Sequence, residues 1–133
     1  MQDYAELFND SYERVMQNAD EFYGFFYQVF LAKDPQIKQR FAHVDLVRQI
    51  SMLKNSLAYL LVCQSSEAAQ RELIRLAKQH HDEYLVEVFM YDIWLDTLVE
   101  VVEEFDSKYY PEVGEAWRRT LSPAVRLMKA SMQ

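Results

Sequence analysis

Two glycines, Gly24 and Gly114, and three prolines, Pro35, Pro111 and Pro123, are all that this chain of 133 residues offers for sharp turns. β-Sandwiches and small barrels turn their corners on Gly, Asn-Gly or Asp-Gly at many points, so a mostly β fold is ruled out by supply. Half of the residues are hydrophobic and 14% are aromatic. At this length that suffices for one sizeable core and not for two independent domains. The expectation is one all-α domain over residues 1–133.

Charge narrows the partners. Fourteen Lys and Arg stand against 21 Asp and Glu, a net charge of −7, and such a surface repels phosphate backbones and anionic lipid headgroups. Nucleic acid and membrane surfaces are therefore not expected partners. No run of 18 apolar residues occurs, and the acidic start Met1-Gln2-Asp3-Tyr4-Ala5-Glu6 lacks the cationic and apolar regions of a secretory leader. The lone cysteine, Cys63, follows the apolar run Leu60-Leu61-Val62 and reads as a buried structural thiol in a reducing, cytoplasmic setting.

Apolar spacing predicts seven helices. The first, from about Asp3 to Gln17, places Tyr4, Leu7, Phe8, Tyr12 and Val15 on one stripe. The second, from Ala19 to about Ala32, is aromatic nearly all round, which implies burial on several sides. Asp34-Pro35 opens a short third helix to about Arg40. The fourth runs from Val44 to about Cys63 with Leu46, Ile50, Leu53, Leu57 and Leu60 inward. The fifth spans Glu67 to about His81 behind a serine cap. The sixth runs from Val86 to about Phe105, and the seventh from Pro111 to the C-terminus, with a kink or local break expected at Pro123.

Enzyme templates are absent: there is no glycine-rich phosphate loop, Cys-x-x-Cys, His-Glu-x-x-His or Gly-x-Ser-x-Gly in the sequence. Two polar residues instead interrupt apolar stripes. Gln49 shares a face with Leu46 and Leu53, and His80 with Leu73, Leu76 and Ala77. An edge glutamine is ordinarily solvated, and a histidine on an apolar face is ordinarily a satisfied core residue. Buried without a partner, either would cost about 1–3 kcal/mol. A haem would satisfy both, taking an imidazole on one side of the iron and placing an amide near a bound gas on the other.

The run FYQVFLAKDPQIKQRF, with Phe26-Tyr27, Phe30, Pro35 and Phe41, closely resembles the second helix, third helix and following corner of bacterial globins, among them flavohaemoglobins and Vitreoscilla-type haemoglobin. QISML, containing Gln49 and Leu53, resembles their distal helix, and LIRLAKQH, ending in His80, the helix that ends in the proximal histidine. Tyr91 is similar to the tyrosine placed near that histidine, and Ala116-Trp117 to a recurrent pair early in the last helix. The resemblance runs in order through nearly the whole chain.

It implies a three-on-three globin-like helical sandwich, its D helix short or absent, binding haem b through His80, with Tyr27 and Gln49 as the distal pair. Phe41, Leu53, Leu76, Val86 and Tyr91 would surround the haem. His43 would stand near a propionate, although an exposed loop histidine is the plainer reading. Upstream spacing supports His80 as iron ligand, whereas the distance to Tyr91 in flavohaemoglobins fits His81; the helical face favours His80. Implied ligands are dioxygen, NO and CO. With no reductase domain following, NO dioxygenation or a peroxidase-like side activity would need a separate reductase. The alternative is a gas or redox sensor module acting through a partner, as monomer or homodimer.

Overall fold

A computed structural model describes residues 3–132. Its helices are α1 (Tyr4–Met16), α2 (Ala19–Leu31), α3 (Pro35–Arg40), α4 (Leu46–Leu61), α5 (Glu67–Tyr84), α6 (Val88–Phe105) and α7 (Pro111–Ala130), with a 3-10 turn, Cys63–Ser65, between α4 and α5. No strand occurs among the described residues, and no helix is long and apolar enough to cross a membrane.

Local chemistry sets most helix starts. Side chains of Asp3, Asp34, Asp45 and Ser66 accept from the backbone N–H groups of Glu6, Gln36, Val47 and Ala69, at 2.9, 2.8, 3.0 and 3.1 Å, and so satisfy donors that a first helical turn leaves unpaired. Asn18 precedes α2 but makes no side-chain cap bond. Only five residues, 41–45, separate α3 from α4, so no helix forms in that corner.

Three expectations change. Leu46 is 42% exposed, and Tyr4 44%: each lies at the first residue of its helix, before the helix reaches the body of the protein. The inward face of α4 is Gln49, Leu53, Leu57 and Leu60. Helix α5 continues past His81 to Tyr84; Asp82 and Glu83 stay exposed, and Tyr84, four residues after His80, continues its inward face. Helix α7 runs without a break through Pro123.

Helix α7 packs against α1, α4, α5 and α6, while α2 lies across α6. Phe22, Phe26, Leu73, Val102, Trp117 and Leu121 are wholly buried. Phe8 meets Trp117 edge-on, with ring centroids 4.8 Å apart, a favoured quadrupolar geometry. The Trp117 indole N–H donates to Ser11 Oγ at 2.9 Å. Gly114 admits the Tyr109 hydroxyl so closely that a Cβ there would stand 2.3 Å from it.

A buried ion pair closes this end of the molecule. Arg14 donates through Nε and Nη2 to the two carboxylate oxygens of Asp106, at 2.5 and 2.9 Å. Burial alone would raise the Asp106 pKa, but hydrogen bonds from Arg14, Ser11 and the Lys108 N–H outweigh it and hold the carboxyl below its ordinary value. Asp106 therefore stabilises the fold above its ordinary pKa of 3.8, and this contribution fades as pH falls through the lower folded value. Because the Arg14 side chain is 26% exposed and can rehydrate, Asp106→Asn should cost about 1–3 kcal/mol at neutral pH, less than severing a fully buried pair. Denaturant unfolding should show that deficit shrinking below about pH 4; a constant deficit down to pH 2 would contradict the role given to the carboxylate.

Candidate functional site

A cavity of about 110 Å³ lies among α2, α4, α5, α6 and α7. Its lining brings together Tyr27, Phe41, Gln49 and Leu53 with Leu76, His80, Val86 and Tyr91, residues from two separate stretches of the sequence. His43 and His81 are both exposed and neither lines the cavity. His43 lies in the exposed turn between α3 and α4; His81 follows His80 by about 100° around the helix and faces away.

On one wall, the buried Tyr27 hydroxyl donates to the backbone oxygen of Gln49 at 3.3 Å. Phe26 packs edge-on against the Tyr27 ring, 5.2 Å between centroids. Burial pushes the phenol well above its ordinary pKa of 10.0, so Tyr27 remains a neutral donor at all physiological pH values. Gln49, only 7% exposed, sits one turn before Leu53 on the inward face of α4. Tyrosine and glutamine thus put two potential donors on this wall of a largely apolar space.

On another wall, His80 Nδ1 lies 3.5 Å from the Tyr91 hydroxyl. In the tautomer protonated at Nδ1, the imidazole donates to that oxygen and Nε2 keeps its lone pair free for a metal. The Tyr91 phenol is itself pushed up to about 12 by burial. The backbone is tied here as well. The His80 carbonyl accepts from the N–H groups of Leu85 and Val86, and Arg40 Nε donates to the Leu85 carbonyl at 3.1 Å, joining the end of α3 to this corner. Leu85 adopts a left-handed conformation with φ 54°, which costs a non-glycine residue about 1–2 kcal/mol. The strain is held at the corner that brings Val86 to the cavity.

Sequence reading did not place Met52, Met90, Trp94 or Met128 at the cavity, yet all four line it. Met128 in particular read as packing. Met52 and Ser56, also in the lining, lie three and seven residues after Gln49, so the Gln49 face itself was the available signal. Among the described residues no group of three His, Cys, Asp or Glu is arranged to hold a metal ion. A lone imidazole suits one axial position of a metal already carried in a ring, and the flexible thioethers suit a space that must adapt to a flat guest. The donor set therefore fits a haem.

No family model matches the sequence, and no curated protein matches it. A solved structure does: the crystal structure of protein PA3967 from Pseudomonas aeruginosa PAO1, described as structurally highly homologous to a human hemoglobin, matches with a TM-score of 0.86 at 27% sequence identity, covering 98% of this chain and 98% of that one. The chain has the all-α globin fold. Its resemblance to bacterial single-domain globins stands on that match.

Burial lowers the His80 pKa from its ordinary 6.5, the Glu83 carboxylate opposing in part. In the haem-free protein, the His80 ring resonances should titrate with a midpoint below pH 6.5 in an NMR series, and the associated stability should be complete above that pH and fall below it. A midpoint at or above 6.5 would show that the imidazole is not desolvated.

Proposed function

We propose that the chain binds haem b in this cavity and reversibly holds a diatomic gas there: dioxygen, with NO and CO as further ligands. The observation that carries the reading is the placement of His80 and the Tyr27–Gln49 pair around one apolar cavity in a globin fold. Haem would supply an iron with one open coordination position.

His80 would hold the iron, its Nδ1 oriented by Tyr91. Phe41, Leu53, Leu76 and Val86 would cover the ring faces and edges, where each Å² of apolar surface removed from water is worth about 25 cal/mol. The same side chains exclude water, which strengthens any hydrogen bond made inside. Tyr27 would exchange its long bond to the Gln49 carbonyl for one to a polarised gas ligand, and the Gln49 amide would be the second donor. Any redox turnover, such as NO detoxification, would draw electrons from a separate reductase.

Loading the purified protein with haem should give a Soret band that His80→Ala abolishes or shifts to a free-haem spectrum, while His81→Ala leaves it in place. No uptake by the wild type, or loss only in His81→Ala, would overturn the assignment. With the ligand in place, Tyr27→Phe removes one donor worth about 1–1.5 kcal/mol, so dioxygen should dissociate about tenfold faster in stopped flow while CO, the less polar ligand, changes less. Equal changes for both gases would remove the hydrogen-bonding role.

A further inference from the structure

A second space lies behind the cavity. A cleft of about 360 Å³ runs between α1, the end of α4, the 3-10 turn and α7. Exposed Ala5 and Asn9 contribute to its surface side, and Phe8, Leu60 and Pro123 to its lining. Leu60 also lines the inner cavity, and its side chain is buried. One aliphatic residue is therefore common to a surface cleft and to the interior.

We propose that Leu60 gates a passage by which small uncharged gas molecules reach the inner cavity from the α1–α7 cleft. The inference rests on reading that cavity as a gas-binding site. A leucine has no polar anchor and moves between staggered rotamers, so it can yield to a diatomic while keeping out ions and larger solutes. Beyond it, Leu73, Val125 and Met128 offer the incoming molecule no hydrogen bond, which favours neutral apolar species over water. Pro123, the proline inside α7, lines the cleft, where its missing N–H leaves one carbonyl of the preceding turn without a helical donor. A gas taking this path would enter without displacing Tyr27, Gln49 or the Arg40–Leu85 tie.

The test fills the cleft from outside. Ala5 lines the cleft but not the inner cavity, so Ala5→Phe narrows the passage without altering the interior. In haem-loaded protein, CO association after flash photolysis should slow about threefold or more in Ala5→Phe and quicken several-fold in Leu60→Ala. Rates equal to wild type in Ala5→Phe, or slower in Leu60→Ala, overturn the passage. A second arm needs no haem: crystals under xenon pressure should bind xenon on both sides of Leu60, with the cleft site lost in Ala5→Phe. Xenon on neither side overturns the passage even where haem binds normally. Xenon on both sides of a protein that takes up no haem leaves the passage standing and overturns the haem reading instead.

Discussion

The burial of one indole organises this molecule. Trp117 has no exposed surface, and it joins α1 to α7 through Phe8. Its N–H, lost to water, requires an acceptor, and Ser11 provides it. Ser11 in turn hydrogen-bonds Asp106, a carboxylate that could not remain charged in the interior without Arg14. A single tryptophan thus dictates a serine and an arginine in α1 and an aspartate after α6. No buried side-chain nitrogen or oxygen among the described residues lacks a partner. With α7 fixed at its start, Leu121, Val125 and Met128 follow at helical spacing, and the last two form part of the cavity lining.

Keeping a cavity among such helices has a cost. At about 24 cal/mol per Å³, a space of about 110 Å³ would cost about 3 kcal/mol of packing if nothing filled it, a sizeable share of the stability of a small domain. Natural cores ordinarily close such space. Here it persists because the helices around it are anchored elsewhere, α7 through Trp117 and the α5–α6 corner through Arg40 and the His80 carbonyl. A guest that filled the space would supply that packing, so the shape of the fold itself favours occupancy.

Helix number, order and most starts were legible because they depend on local chemistry: aspartate and serine caps, prolines at first turns, and apolar spacing. The polar residues of the cavity were legible for a related reason. Gln49 and His80 break apolar stripes, and such a break signals either a defect or a use. What stayed hidden depends on contacts across the chain. Leu46 fits the stripe of α4 by period, yet it begins the helix before any neighbour covers it. The last turn of α5 holds the charged Asp82 and Glu83, and its one inward residue, Tyr84, four positions after His80 with the rings 6.1 Å apart, is too short a signal to extend the helix. Met52, Met90 and Met128 are indistinguishable in sequence from core residues because the helices that frame the cavity also frame the core. The Trp117–Ser11–Asp106–Arg14 chain spans more than 100 positions, beyond any spacing rule.

Rigidity and adaptability are divided along this cavity in a way that its two ends explain. The corner bearing His80 carries the strained Leu85, the bonds to the His80 carbonyl and the tie from Arg40; each fixes backbone, and the axial role proposed for His80 would need a fixed position because small displacements weaken a directional bond. The remaining walls include three methionines and the long Tyr27 bond, and each of these can rearrange at little cost. Were the arrangement reversed, with a mobile histidine and stiff β-branched walls, the cavity would suit the proposed haem poorly, neither opening for a large planar guest nor holding its metal in register. The observed distribution places the adaptable groups in side chains and the fixed ones in the backbone around His80.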